Sequence, residues 1–175
     1  MKKIIAISFI LVFLCGVQVS AAQGQPVQFS DILPELEANL ASLGSIIEQF
    51  EAIQGVMDAS AKANENYNEQ KNIFLSSTMA ISTISAICEY EANLLALFID
   101  LKQKNRRKYY DVRINSLGIS VSQIENMYRQ IQINYTIFPP NFFEAPLVRK
   151  ERLTIQSTIE RLNRCRVLLE SVNQK

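Results

Sequence analysis

The sequence predicts an all-α fold, an elongated antiparallel bundle of three to four long helices. Gly and Pro are scarce, at five each in 175 residues, which favours long helices over a many-turned β fold. Apolar residues recur at alternating spacings of three and four in separate stretches. One stretch, from Asn72 to Leu101, is almost wholly apolar and carries no charge between Ile73 and Cys88. We expect it to be the most buried helix, too apolar for a surface and too interrupted by carboxylates to cross a bilayer.

A secretion signal is predicted ahead of the bundle. Lys2 and Lys3 form a short positive head, and residues 4–16 are an apolar run shorter than a typical membrane span. Small residues allow cleavage after Ala21 or Ala22. We therefore expect a signal over residues 1–22, one helical domain over residues 23–175, and no stable transmembrane helix. The style of the signal indicates a bacterial protein that is periplasmic or secreted, and an uncleaved anchor is the alternative.

The net charge of the mature chain gives no argument for nucleic acid as a partner. Removing Lys2 and Lys3 from the 18 basic residues leaves 16, against 17 acidic ones, so the net charge becomes −1. Proteins that bind nucleic acid through the phosphates generally carry an excess of positive charge. We therefore do not favour nucleic acid.

The first predicted helix begins at Ser30 or Asp31, either of which can cap it, and runs to Met57. Its apolar residues alternate three and four apart, as expected of a helix that packs on neighbours along one face. They are Leu33, Leu36, Leu40, Leu43, Ile47, Phe50, Ile53 and Met57. The stripe is lost in a stretch rich in Asn and Glu, so a turn is predicted over residues 64–68.

The second predicted helix spans residues 69–102 and has three apolar columns, so it should touch at least two other helices. Its Ser and Thr hydroxyls can bond to carbonyls one turn earlier, and a polar ligand channel is the functional alternative. Glu91 falls in line with Ile84 and Phe98. We expect this carboxylate to be partly buried and therefore paired, with an arginine of the fourth helix as its partner.

The third predicted helix follows a turn around Asn105, and Pro139 and Pro140 end it. Its stripe includes three tyrosines whose hydroxyls should reach water or a partner: Tyr110, Ile114, Leu117, Val121, Ile124, Tyr128, Ile131 and Tyr135. The fourth helix begins near Pro146 and combines an apolar side with many basic residues. Short connections between helices of similar length imply antiparallel neighbours.

Cys88 and Cys165 are the two cysteines of the expected mature chain, since Cys15 leaves with the signal. An oxidising compartment favours a disulfide between them, and their equal depth in parallel helices supports it. In a square bundle those helices are diagonal, and the Cα atoms would be too far apart for the ~5.5 Å of a disulfide. The alternative is two buried free thiols, so both readings stay open.

No catalytic, cofactor or metal site is predicted. The chain has no histidine, which removes Ser-His and Cys-His pairs and any His-ligated metal. No glycine-rich phosphate loop appears. A catalytic role for Glu89 or Glu91 is the minor alternative to a structural ion pair or a solvated carboxylate.

Two short segments are candidate docking points for a partner. Phe142 and Phe143 lie between prolines at one end of the bundle, where they either close the core or dock another protein. Arg106, Arg107 and Tyr109 belong to the one dense basic patch, at the turn between the second and third helices. Such a patch can bind single-stranded nucleic acid or anionic lipid, and it can also be merely solvated, which we favour.

The signal, the helix over residues 32–57 and the closing helix over residues 152–172 together resemble the periplasmic helical subunits of bacterial conjugal transfer (type IV secretion) systems. The resemblance spans the whole chain and implies a non-enzymatic assembly or adhesion role. It also implies partners among envelope proteins of a secretion complex, and it assigns no role to a particular residue. A periplasmic chaperone or ligand carrier that uses the Ser- and Thr-lined helix is the alternative. The oligomeric state is not readable from the sequence.

Overall fold

The chain folds as four helices in a computed structural model, which describes residues 28–60, 65–101, 106–139, 142 and 145–173. The helices are α1 (Phe29–Ser60), α2 (Glu65–Asp100), α3 (Tyr110–Tyr135) and α4 (Pro146–Asn173). A 3₁₀ turn, Arg107–Tyr109, leads into α3. No strand occurs within these ranges, so the predicted all-α fold is confirmed. The predicted signal over residues 1–22 lies outside them.

The four helices form a closed square bundle. Each helix packs against its neighbours in sequence, α4 packs back against α1, and the diagonal pair α2 and α4 touch only slightly. Short connections force successive helices to run antiparallel, which produces this up-down-up-down arrangement. The helix bounds differ little from those predicted. The clearest error is the first turn, because α2 already begins at Glu65 and the turn was predicted over residues 64–68.

The core is aliphatic in the middle and aromatic at both ends. Its middle is built from fully buried residues on all four helices, including Leu43, Ile84, Leu117, Ile124 and Leu162. At one end Phe29 and Tyr110 pack on the ring of Phe98, with centroids 5.5 Å and 5.8 Å away. At the other end Phe50 packs on Phe74 at 4.9 Å. Large rings at the ends fill the wider space where the helices give way to turns.

The apolar columns of α2 are only partly inside. Phe74, Ile81, Cys88 and Leu95, which form one predicted column, are buried. The members of a second predicted column are only half-buried: Ile73, Ala80, Ile87, Leu94 and Leu101. The hydroxyls of Ser77, Thr78, Ser82 and Thr83 each donate to the carbonyl four residues earlier, at 3.0 Å. These hydroxyls therefore spend their hydrogen bonds on their own helix, as the sequence predicted.

By length and composition, residues 68–100 of α2 could cross a membrane. The sequence had predicted that the carboxylates of this stretch prevent it from crossing a bilayer, and its composition does not support that prediction. The buried helix of a bundle passes the same test, and α2 packs against α1 and α3 in this structure. A third of the most apolar window is buried, which leaves much of that window on the outside of the bundle.

Glu91 is fully buried, but its partner is not on the fourth helix as predicted. An oxygen of its carboxylate lies 2.8 Å from a guanidinium nitrogen of Arg113 on α3. The other oxygen accepts a hydrogen bond of 2.6 Å from the Ser120 hydroxyl, also on α3. The Arg113 contact is an ion pair whose N–H is poorly aligned, because the same nitrogen has no hydrogen-bond partner of good geometry. The column that contains Glu91 faces α3, so the nearest arginine is there.

Candidate interaction surface

The basic turn, residues 106–109, has one half-buried arginine and three exposed residues. The Arg106 side chain donates to the carbonyls of Leu101, at 2.5 Å, and Ile99, and its guanidinium lies 5.9 Å from the centre of the Phe98 ring. This arginine therefore helps to close the end of α2, where the last carbonyls of a helix have no partner within the helix itself. Arg107 and Tyr109, by contrast, are exposed and accessible to a partner.

Phe142 closes the opposite end of the core. Its ring stacks on that of Phe138 at 4.4 Å and meets that of Tyr135 edge-on at 5.1 Å. Phe138 in turn meets Phe74 at 6.5 Å, so the stack continues into the core. Of the two roles that the sequence allowed for Phe142, closing the core or docking another protein, the structure has it closing the core. Phe143 lies outside the described residues.

Cys88 and Cys165 are both buried and both free. Of the two alternatives that the sequence left open, the structure therefore contains the buried free thiols and not the disulfide. The Cys88 thiol donates to the Leu36 carbonyl, with sulfur and oxygen 3.7 Å apart. Burial raises the pKa of Cys88 to about 11 and that of Cys165 to about 12. Both thiols are therefore protonated at neutral pH and poor nucleophiles. Their helices are the diagonal pair of a square bundle, the geometry that opposes a bridge.

A small cavity lies between α3 and α4 beside a second buried carboxylate. The Tyr135 hydroxyl donates to Glu151 at 2.9 Å, and the cavity of about 100 Å³ is lined by these two residues together with Tyr128 and Arg152. Burial raises the pKa of Glu151 to about 7, although the Tyr135 hydrogen bond lowers it. Burial also raises the pKa of Tyr128, whose hydroxyl is buried without a hydrogen bond of good geometry.

Charges of opposite sign dominate α1 and α4. The sequence of α1 has six acidic residues and no basic one, whereas α4 has six basic and three acidic residues. These two helices are neighbours, and Glu35 meets Arg161 across their interface at 2.6 Å. Opposite charges on α1 and α4 favour these two helices as neighbours over arrangements that would separate them. The side of the bundle that α1 and α4 form therefore combines an acidic helix with a mainly basic one.

The outer side of α2 is uncharged over most of its length. Met79, Ala86, Tyr90 and Leu97 follow one another at spacings of seven and four and are all exposed. At 100° per residue these four residues lie in one column. Polar but uncharged residues flank the column: Asn72, Ser76, Ser82, Thr83 and Asn93. The exposed carboxylate of Glu89 lies about a quarter-turn away, towards α1.

The outer side of α3 continues this uncharged surface. Val112, Ile119 and Ile133 are exposed in a second column that exposed Ile137 extends just beyond the end of α3, and Gln123, Asn126 and Gln130 lie among them. The charged residues of α3 other than Arg113 lie towards α4. Asp111, for example, accepts a hydrogen bond from Asn173 of α4 at 2.8 Å.

We call these two columns with their flanking polar residues the α2–α3 face. The hydrogen bond from Asn134 to Ser77, at 3.1 Å, joins the two helices at one end of the face, and that from Ser120 to Glu91 joins them in its middle. Met79 and Leu97 are 64% exposed, Val112 is 65% exposed and Ile119 is 61% exposed. Large apolar side chains are thus exposed to solvent in two columns that carry no charge. Depletion of charged residues is the compositional mark of the core of a protein interface.

This face was not predicted from the sequence, although a signal was present. The apolar character of residues 72–101 indicates burial, so the predicted docking points lie at the ends of the bundle. Yet the column of Met79, Tyr90 and Leu97 is a fourth one, in addition to the three predicted to be inside. Four apolar columns are more than a helix with two neighbours can bury, so one must face outwards.

A scan against protein-family models and searches of curated proteins and of solved structures return no match for this chain. The comparisons therefore add nothing to the resemblance to conjugal transfer subunits.

Proposed function

We propose that this chain is an exported, non-enzymatic helical protein that holds another protein through the α2–α3 face. The observation that supports it most is the set of exposed apolar residues on a face without charge, spread over two adjacent helices. Exposed apolar patches of this kind mark interaction sites on soluble proteins. The two buried carboxylates, Glu91 and Glu151, each have a partner inside the bundle, which suits a structural role.

The setting that we propose is the bacterial envelope, in a conjugal transfer or type IV secretion complex. Support for it comes from the signal-like residues 1–22 and from the resemblance of the helices to periplasmic subunits of such systems. A rigid bundle with one binding face suits an assembly role, because a partner can dock on it without ordering new segments.

A pull-down from envelope extracts of the source cells tests the proposal. The bait is the tagged chain, and the substitution pair is Tyr90→Glu with Ile119→Glu, which places two carboxylates in the middle of the face. Both positions are exposed, so the fold should survive. We expect the wild type to recover a protein, untagged copies of the same chain included, and the substituted chain to lose it.

The matched control is Leu153→Glu with Val167→Glu, two equally exposed apolar positions on α4. This pair adds the same charge outside the face and should leave recovery of the partner unchanged. Equal loss of the partner from both double variants, or no loss from either, would reject the α2–α3 face as the binding site.

A ligand carrier is the second candidate, and the cavity beside Glu151 is the observation that favours it. Its volume of about 100 Å³ leaves room for several water molecules, whereas ordinary ligand pockets hold about 300 Å³ or more. The Ser and Thr hydroxyls of α2, which suggested the carrier, are bonded to their own helix. If a ligand does bind in this cavity, Glu151→Gln should abolish the rise in melting temperature that the ligand produces.

A further inference from the structure

We infer that the partner held by the α2–α3 face is a second copy of this chain, in an antiparallel, two-fold symmetric dimer. The inference rests on the proposed function and names the occupant of the same face. It draws on three features of the described residues: the absence of charge on the face, its area, and the opposite charges at its two ends.

The absence of charge makes the face compatible with itself. In a two-fold dimer the same patch meets its own copy, so any dense single-sign charge would repel itself. That condition excludes the acidic outer side of α1 and the basic outer side of α4. The α2–α3 face meets it, because its two columns carry no charge and the exposed charges at its edges, Glu89, Asp111 and Arg129, are of mixed sign.

The area of the face matches the requirement of a stable dimer. The 26 residues of α3 make a helix about 40 Å long at ~1.5 Å per residue. Packed helices lie about 10 Å apart, so two of them present a surface about 20 Å wide. The product, about 800 Å² on each partner, equals that of a standard specific interface.

The charges at the two ends of the face select the antiparallel arrangement. Arg107 and Lys108 are exposed at the end where α2 gives way to α3, with Asp100 as the nearby acidic residue. Glu69 is exposed at the beginning of α2, at the other end, where the nearby basic residue, Lys71, is half-buried. A two-fold axis that crosses the helices in the middle of the face places the basic turn of each copy near Glu69 of the other. An axis along the helices would instead bring two basic turns together.

A membrane surface fits this face less well than a second copy does. Faces that lie on membranes are generally flanked along their length by Lys and Arg, which attract anionic lipid. Here the flanks carry Glu89 on the α1 side and Asp111 and Glu125 beside Arg129 on the α4 side. The exposed basic residues at the turn occupy one end of the face only.

Sedimentation velocity over a range of concentrations tests the dimer, with the protein expressed with its own N-terminus and purified. We expect a concentration-dependent dimer in the wild type. The control pair, Leu153→Glu with Val167→Glu, should leave the affinity of the dimer unchanged, and a loss of affinity of about tenfold or more in this control would contradict the inference. In Tyr90→Glu with Ile119→Glu the affinity should fall by more than about tenfold, because a buried unpaired carboxylate costs more than 1.4 kcal/mol. Circular dichroism confirms that each variant is folded.

Charge exchange tests the orientation. Lys108→Glu should weaken the dimer, and adding Glu69→Lys to the same chain should restore it, because the two positions meet across the antiparallel interface. Weakening by Lys108→Glu without rescue, or no weakening, overturns the antiparallel arrangement.

Two results would overturn the second copy as occupant. One is a monomer at all concentrations whose pull-down partner is nevertheless lost with Tyr90→Glu and Ile119→Glu, and this result leaves the proposed function standing. The other is a monomer that floats with vesicles of phosphatidylcholine and phosphatidylglycerol unless those positions are substituted, which contradicts the proposed function as well.

Discussion

The carboxylate of Glu91 on α2 and the guanidinium of Arg113 on α3 form an ion pair, 2.8 Å apart, inside the core of the bundle. Glu91 is fully buried and Arg113 is 8% exposed. An ion pair taken out of water gains little net stability, but either member alone is very unfavourable there. The pair therefore restricts how α2 and α3 can pack, because any other register would leave a charge without a partner.

Removing one member of this pair should be far more harmful than removing both. We expect Arg113→Leu to lower the free energy of unfolding by about 3–5 kcal/mol, since Glu91 would remain buried and unpaired. Adding Glu91→Leu should recover about 2 kcal/mol or more of that loss. Urea unfolding followed by circular dichroism measures both. A double variant that is no more stable than Arg113→Leu would show that the pair has no such coupling.

The stability of the fold should depend on the ionisation of Glu151. Its pKa is about 7 in the folded protein, against an ordinary value of 4.5. Between pH 4.5 and pH 7, the folded state therefore keeps a carboxyl proton that the unfolded state has lost. This contribution is fully present below pH 4.5 and is lost as the pH rises through 7, by up to about 3 kcal/mol.

The measurement is the free energy of unfolding at several pH values for the wild type and Glu151→Gln. Tyr135, Tyr128 and Arg152 face the same cavity, and the variant leaves them in place. The difference between the two proteins isolates Glu151 from the other carboxylates. We expect that difference to change steadily between pH 4.5 and 7, and a constant difference would contradict the burial of an ionisable Glu151.

The buried thiols should be protected from reagents. Cys88 and Cys165 are buried and protonated at neutral pH, so alkylation of the folded protein should be slow and should become complete in urea. Mass spectrometry without reductant counts the alkylated thiols. Failure of both thiols to react in urea, with reaction restored by a reductant, would demonstrate a disulfide instead.

Gly44 should be replaceable by Ala with a gain in stability. It lies within α1, has no positive φ, and a Cβ added there would have no neighbour within 4 Å. Because Ala favours the helical state over Gly by about 1 kcal/mol, Gly44→Ala should raise the free energy of unfolding by up to that amount. Gly55→Ala is a matched second case, with the same open surroundings. A loss of stability in both would mean that these glycines have a packing role.

The sequence predicted the helices better than their surroundings. The four helices follow from the apolar periodicity, and the proline pair correctly marks the end of α3. The start of α2 was placed too late because its first turn, with the sequence ENYN, contains one aromatic residue and no repeated apolar spacing. The partner of Glu91 was assigned to the wrong helix for a related reason. Periodicity shows that a column is buried, but the neighbour that covers it depends on tertiary packing.

The interaction surface shows the same limit. Tyr90 and Leu97 look like core residues in the sequence, because hydrophobic columns on the inside and the outside of a helix have the same spacing. Their exposure becomes visible only when α1 and α3 are in place on two sides of α2. Arg106 gives the opposite case, since a residue that looked available to a partner is used to close the end of α2.

The most direct test of the account is photo-crosslinking in intact cells with a benzophenone amino acid placed at position 90 or, as a control, at position 167. Both positions are exposed, the first on the α2–α3 face and the second on α4. We predict that irradiation links the chain to another protein from position 90 and leaves it unlinked from position 167. No product from position 90, or the same product from both positions, would contradict the claim that this face holds a partner.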